Sequence, residues 1–143
     1  MVKTCVFCQI VVHAVPAAIV FEDEVCLAFL DHRPVFPGHC LLVPKQHLDS
    51  LIEVEAPLLG TLFANARLLA IAAEKALGAQ GAFVAVNNRV SQSVPHMHIH
   101  VVPRSKGDGL KGFFWPRNKY RDPEHIEEVR RKLADAMGAL RIA

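Results

Sequence analysis

Three histidines alternate with apolar residues in Val94-Pro95-His96-Met97-His98-Ile99-His100-Val101-Val102-Pro103-Arg104, and two cysteines stand with two residues between them at Cys5 and Cys8. On an extended strand every second side chain points the same way, so His96, His98 and His100 form one polar row with successive members roughly 7 Å apart. Met97, Ile99 and Val101 then face a core. Imidazole titrates close to neutral pH and serves as nucleophile, acid, base, metal ligand or phosphate donor. A plain solvent-facing strand would alternate with Lys, Thr or Glu, so an aligned row of three imidazoles points to chemistry.

Two chemistries compete for the row. Imidazoles on one strand face can converge on a catalytic zinc, about 2 Å from each nitrogen. Sites of that kind usually add a carboxylate, and none lies between Asn87 and Arg104. Alternatively one neutral imidazole attacks phosphorus, and a covalent phosphorus-nitrogen intermediate splits a difficult displacement into two easier steps. Gln92, Ser93 and His100 suit that second reading, being hydrogen-bond donors without negative charge. The Cys5/Cys8 spacing is that of a metal chelate or a redox pair, and two thiolates alone do not complete a tetrahedral site. A redox pair normally follows a strand at the start of a helix, whereas this one begins the chain; two buried thiols without metal are the third reading. Cys26 and Cys40 lie in apolar alternating segments and read as small buried hydrophobes.

The elements that must position these groups follow from the rest of the pattern. A chain of 143 residues with 52% hydrophobic residues fits one domain spanning 1–143 with a proper core. A formal charge of +2 demands no polyanionic partner, so an anionic ligand must be recognised locally. No nucleic acid polymer is expected. No uninterrupted apolar run approaches the roughly 18 residues of a membrane span and the N-terminus lacks a secretory pattern, so a cytoplasmic protein without a membrane partner is expected. Strands are predicted over 19–22, 25–30, 38–43, 81–87 and 97–103, with Glu22-Asp23-Glu24 as a turn. A helix is predicted over 54–77 with Gly78 as its stop, and a second from Pro123 to about Leu140 begun by Asp122-Pro123-Glu124. The glycine-rich run 105–112 reads as a mobile loop or interface arm. The expected architecture is α+β, an antiparallel sheet of about five strands with two main helices.

The segment from Gln92 to Arg104 resembles the signature of the histidine triad family, His-φ-His-φ-His-φ-φ with φ apolar. Phe21-Glu22-Asp23, Ala28-Phe29-Leu30-Asp31, Pro37-Gly38-His39 and Leu42-Val43-Pro44-Lys45-Gln46-His47 resemble the N-terminal half of that family in order and spacing. Lys106-Gly107-Asp108-Gly109 with Trp115 extends the likeness, which covers Cys5 to about Trp115. It implies a nucleotide hydrolase or transferase that cleaves an α-phosphate linkage in nucleoside phosphoramidates or dinucleoside polyphosphates through a covalent His98-nucleotidyl intermediate. The other functional readings are a nucleotide-binding module with incidental activity and a zinc-dependent hydrolase using the row.

By the resemblance, His98 is the nucleophile, His100 bonds the α-phosphate, Ser93 and Gln92 bind phosphate and assist the leaving group, and Asp31 holds the ribose hydroxyls. Asn87 is expected to turn inward toward the nucleotide, and Arg89 to be a solvated loop cation. Family members often carry a longer, glycine-containing stretch before the Gln-Ser pair than Asn87-Asn88-Arg89-Val90-Ser91. A subset of the family joins the N-terminal cysteines to a histidine after Pro-Lys and to the first triad histidine, which implies a structural zinc held by Cys5, Cys8, His47 and His96. No organic cofactor is expected. The implied partners are a purine nucleotide substrate and a second copy, in a homodimer that joins two sheets. Trp115, with Phe113 and Phe114, is assigned to that interface. His13, His32 and His125 read as surface or turn residues, and His39 as a packing residue; Phe7, Ile10, Leu27 and Phe29 suit either a base pocket or a core.

Overall fold

The computed structural model describes residues 1–111 and 117–142, the last of these in backbone only. Its contacts divide it into a unit over Met1–Asp108 and a second over Gly109–Ala143.

The first unit contains α1 (Val6–Val11), β1 (Ile19–Glu22), β2 (Cys26–Leu30), β3 (Cys40–Pro44), a 3₁₀ turn (Leu51–Glu53), α2 (Ala56–Leu77), β4 (Gly81–Ala85) and β5 (Ile99–Arg104). The strands form one five-stranded sheet in the order β1-β2-β3-β5-β4, every neighbouring pair antiparallel. The α+β architecture with an antiparallel five-stranded sheet is therefore the one the sequence predicts.

The sheet is covered on both faces, because β2 and β3 carry apolar residues at successive positions rather than at alternate ones. Cys26, Ala28, Cys40, Leu42, Ile99 and Val101 meet Leu62, Ala66 and Leu69 of α2 on one face. Leu27, Phe29, Leu41 and Val43 meet Phe7, Cys8 and Ile10 of α1 on the other. Helix α2 is long and apolar enough by length and composition to cross a bilayer, yet its Leu62-Ala66-Leu69-Ala73 stripe is buried against this sheet. Gly78 ends it in the left-handed conformation, at φ 68°.

Several expectations shift. Helix α1 is absent from the predicted elements: it is six residues long, below the length at which periodicity shows, and is held by Cys5 at its N-cap. The fourth strand stops at Ala85 rather than Asn87, and the fifth begins at Ile99 rather than Met97. His96 and His98 therefore precede the ladder, where the Met97 N–H donates to the Leu48 carbonyl at 2.7 Å. The run after Arg104 begins as a tight turn rather than a loose arm. The Asp108 carboxylate binds Arg104 Nε at 2.6 Å and the Ser105 N–H at 3.1 Å. The assignments to Phe113, Phe114 and Trp115 lie outside the described residues.

The second unit holds α3 (Pro123–Ile142), started by the Asp122 carboxylate, which accepts from the His125 N–H at 2.7 Å. Its predicted span, 123 to about 140, matches within two residues.

Gly38, just before β3, sits at φ +96°, and a Cβ there would run into Leu77 Cδ1 and lie 3.1 Å from Pro103 Cγ. Leu77 can swing aside, but the backbone angle remains costly for any L side chain. Gly38→Ala should lower stability by about 1–2 kcal/mol, read as a drop of several degrees in melting temperature. An unchanged melting temperature would contradict this account of the turn.

Candidate functional site

The antiparallel register places Leu41 of β3 opposite His100 and Leu42 opposite Ile99. Alternation then turns Met97, Ile99 and Val101 toward α2, and His98 and His100 toward the opposite face with Leu41 and Val43. The three histidines are buried to different degrees, His96 fully, His98 at 4% exposure, His100 half-buried. Their ring nitrogens have three different sets of partners.

His96 Nε2 lies 2.8 Å from the Pro44 carbonyl oxygen, which can only accept, so in the neutral ring the proton is on Nε2 and the Nδ1 lone pair is free. That Nδ1 is 3.5 Å from Cys5 Sγ and 3.6 Å from Cys8 Sγ. His47 repeats the arrangement, with Nε2 2.8 Å from Asp49 Oδ1 and Nδ1 3.2 Å from Cys8 Sγ. The four ligand atoms of Cys5, Cys8, His47 and His96 all lie within 4.8 Å of one another.

This donor set fits a zinc ion on its own chemistry. Bond lengths of about 2.3 Å to sulfur and 2.0–2.1 Å to nitrogen in a tetrahedron require sulfur-nitrogen edges of about 3.6 Å, close to the three observed. Both imidazoles offer Nδ1 because an outer partner holds Nε2–H, the usual support for a metal-bound histidine. The sulfurs receive backbone donors as well, Cys5 Sγ from the Cys8 N–H and Cys8 Sγ from the Val2 N–H, each at 3.5 Å. Burial pushes the Cys5 thiol above its ordinary pKa, so ionised sulfur here needs a neighbouring cation.

His98 lies in no such group among the described residues. Its Nδ1 is 2.7 Å from the His96 carbonyl oxygen, so in the neutral ring the proton is on Nδ1 and the lone pair on Nε2. Phe7 meets the ring edge-on, centroids 5.2 Å apart at 86°, and limits its rotation. Phe7 and Ile10 of α1 pack with Leu27 and Phe29 of β2 in the core on this face of the sheet.

His100 is oriented by a residue that the sequence reading assigned to packing. The Val35 N–H donates to His39 Nδ1 at 3.1 Å, which puts the His39 proton on Nε2. His39 Nε2 is 3.0 Å from His100 Nδ1, so it donates there and His100 carries its own proton on Nε2. Asp31 completes the cluster, with Oδ2 3.8 Å from His39 Nδ1 and Oδ1 accepting from the Arg33 N–H at 2.9 Å. Burial, with the neighbouring His98 and His39, lowers the His100 pKa to about 4, and burial lowers that of His39. Both rings are neutral near pH 7, which this one-directional relay requires. Only the β3–β5 register joins Gly38-His39 to the row; adjacency in sequence gives no hint of it.

The loop before the row is tied down at Gln92. Its Nε2 donates to the Asp49 carbonyl at 2.6 Å and its Oε1 accepts from the Arg89 N–H at 2.9 Å. Arg89 and Ser91 take left-handed angles, φ 70° and 57°, where glycine would be unstrained. Arg89 is exposed, as expected. Asn88 rather than Asn87 turns inward, its Oδ1 accepting from the Leu51 N–H at 2.9 Å, while Asn87 is exposed. Ser93 lines an open cleft of about 570 Å³ with Thr4, Cys5, His47, Asp49 and Pro95. His13 and His32 are surface residues, and His125 contacts Tyr120 at 5.5 Å within its own unit.

The fold and the row together define a histidine triad protein, and the comparisons agree. The profile of the HIT domain matches residues 12–107, and the chain belongs to the HIT family. A member of the HIT family from Bacillus subtilis superposes with a TM-score of 0.82 at 33% identity, covering 93% of this chain and 96% of that one. A zinc-bound histidine triad family protein from Mycobacterium smegmatis gives 0.73 at 37% identity, covering 95% and 97%. The adenylylsulfatase HINT3 of Arabidopsis thaliana is 35% identical over 108 residues, 74% of this chain and 55% of its own length. Proteins of the family bind nucleotides and act as nucleotide hydrolases or transferases.

The relay carries a pH signature. The folded pKa of His100 lies below its ordinary 6.5, so between the two the unfolded chain binds more protons. Stability is therefore complete above pH 6.5 and falls as pH drops toward 4; His39 and His96 shift in the same direction. Urea midpoints measured from pH 7.5 to 4.5 should decline, less steeply in His100→Gln. Parallel slopes for the two proteins would refute the assignment.

Proposed function

We propose that the protein cleaves an α-phosphate linkage of a nucleoside phosphoramidate or dinucleoside polyphosphate, with His98 as the nucleophile. The observation that carries this reading is the 2.7 Å contact from His98 Nδ1 to the His96 carbonyl, which in the neutral ring places the proton on Nδ1 and the lone pair on Nε2. Nε2 attacks the α-phosphorus, the phosphorus-nitrogen bond forms, and the bond to the leaving group breaks. The Ser93 hydroxyl donates the proton that the leaving group needs as that bond breaks. Water then attacks the same phosphorus and passes one proton to Ser93 as the phosphorus-nitrogen bond breaks, giving a nucleoside monophosphate and restoring both the imidazole and the hydroxyl.

His100 Nε2–H, held outward by His39, donates to a non-bridging phosphate oxygen through both steps. Asp31 accepts from the ribose hydroxyls of a purine nucleotide, and Asn87, exposed just beyond β4, contacts that nucleotide. Gln92 assists phosphate binding by shaping the loop, since both ends of its amide are bonded to protein. A hydrolase with zinc at the row is disfavoured because the three rings do not converge: His96 turns to the cysteines and His100 to His39. A module that binds nucleotide with incidental turnover remains the alternative, and rate separates it from an enzyme.

Cys5, Cys8, His47 and His96 would hold a structural zinc that ties the N-terminus to the row without a position for water. Two copies joining their sheets at exposed edges would form the homodimer. Four free cysteines suit a cytoplasmic setting, and no organic cofactor enters the chemistry.

His98→Ala should lower turnover of an adenosine phosphoramidate by at least ~10³-fold, a typical loss for a nucleophile, while nucleotide affinity changes little. Rapid-quench mass spectrometry of the parent protein should detect one nucleotidyl adduct on the peptide containing His98. Full turnover in His98→Ala, or an adduct elsewhere, rejects the mechanism.

Purified protein should hold zinc in proportion to chain, and Cys8→Ser with His47→Ala should lose it together with several degrees of melting temperature. Chelator-stripped protein that remains folded should still form the adduct. Loss of adduct formation on stripping, with circular dichroism unchanged, would instead make the metal catalytic.

A further inference from the structure

The loop that carries Ser93 is fastened to one short stretch of backbone. Two of its side chains reach across with opposite polarity: Asn88 Oδ1 accepts from the Leu51 N–H at 2.9 Å, and Gln92 Nε2 donates to the Asp49 carbonyl at 2.6 Å. The loop's own backbone works against its shape, because Arg89 and Ser91 hold left-handed angles that disfavour L side chains. The apolar side chain at its tip, Val90, is 78% exposed and adds no burial.

The stretch that receives both bonds, residues 47–53, is itself held from several directions. Leu48 and Leu51 pack against the core beneath α2, and Ser50 is buried. The Asp49 N–H donates to Glu53 Oε2 at 2.8 Å, which draws the 3₁₀ turn Leu51–Glu53 back onto it. Its first residue is His47, whose Nδ1 lies 3.2 Å from Cys8 Sγ in the four-ligand cluster. The next residue, Leu48, accepts from the Met97 N–H at 2.7 Å, and Met97 follows His96 of the same cluster. The Leu48–Met97 bond is thus flanked on both sides by a ligand residue. Thiol-imidazole contacts alone are weak hydrogen bonds. A tetrahedral ion would replace them with bonds of about 2 Å that brace His47 against His96.

We propose that segment 47–53 couples the two sites: a metal held by Cys5, Cys8, His47 and His96 stiffens the backbone to which Asn88 and Gln92 fasten the Ser93 loop. Asn88 is then a positioning residue for Ser93. The inference rests on the reading above, in which the cluster holds zinc and the Ser93 hydroxyl protonates the leaving group. The nucleophile stands outside this run of contacts, because the His98 tautomer is set by the His96 carbonyl. Loosening the loop therefore slows departure of a group that needs a proton and spares one that does not.

Two readouts on the full chain test the proposal, with circular dichroism to check that each variant folds. Hydrogen exchange followed by NMR reports the Arg89 N–H, which donates to Gln92 Oε1 at 2.9 Å, against the control amides of Leu62 and Leu69 in α2. Chelator-stripped protein should exchange the Arg89 amide at least about fivefold faster than zinc-loaded protein, the weight of one net hydrogen bond, with the controls unchanged. Asn88→Ala should show the same acceleration with zinc still bound. Asn88→Asp, which keeps an acceptor oxygen for the Leu51 N–H, should restore the protection. In rapid-quench experiments Asn88→Ala should slow adduct formation about fivefold from an alkylamine phosphoramidate of adenosine monophosphate. Adduct formation from the corresponding p-nitrophenyl ester, whose phenolate departs without a proton, should be unchanged. Exchange at Arg89 that ignores stripping, or that rises together with Leu62 and Leu69, overturns the coupling. Equal slowing on the two substrates overturns the positioning role of Asn88. A parent protein that shows the exchange pattern but forms no adduct upholds the coupling and rejects the covalent mechanism instead.

Discussion

The imidazole of His96 is fully buried and has both nitrogens committed, Nε2 to the Pro44 carbonyl and Nδ1 to the two N-terminal sulfurs. The rest of the site depends on that double commitment. The ring brings the N-terminal segment against the edge of β3, and the backbone carbonyl of the same residue receives the His98 proton. One residue thus anchors the cluster through its side chain and sets its neighbour's tautomer through its main chain. Three histidines that are interchangeable in composition become unlike groups because hydrogen-bond acceptors of fixed polarity surround them. A carbonyl can only accept, so each ring's proton position is decided by backbone geometry.

Much of this was legible in the residues. Strict alternation from His96 to Val101 placed the histidines opposite Met97, Ile99 and Val101, and the sheet preserves that division even though His96 and His98 precede the regular ladder. The Cys5/Cys8 spacing announced a two-sulfur half-site, and the resemblance to the histidine triad family supplied His47 and His96, which the structure brings to the same place. What stayed hidden depends on register and on short range. His39 reaches His100 only because β3 and β5 pair with Leu41 opposite His100, a relation that period-two patterning cannot express. Helix α1 is too short to print a helical period, so the element that brings Phe7 edge-on to His98 was not visible in the sequence.

The loop from Asn87 to Ser93 is held by a side chain against its own backbone preferences. Arg89 and Ser91 occupy left-handed angles that disfavour them by about 1 kcal/mol each. The Gln92 amide holds the turn at both ends. In this chain the turn is held by a side-chain clamp instead of by backbone preference.

Asp49 links the two ends of the site through different atoms. Its carboxylate receives His47 Nε2, while its carbonyl receives Gln92 Nε2. Replacement of this residue therefore alters what supports the imidazole and leaves the acceptor for the loop in place, since every amino acid brings the same carbonyl. A substitution at position 49 therefore acts on the sulfur-imidazole cluster and spares the contact that holds Gln92. Drift in the loop's own sequence, conversely, meets an anchor that no substitution at 49 can take away.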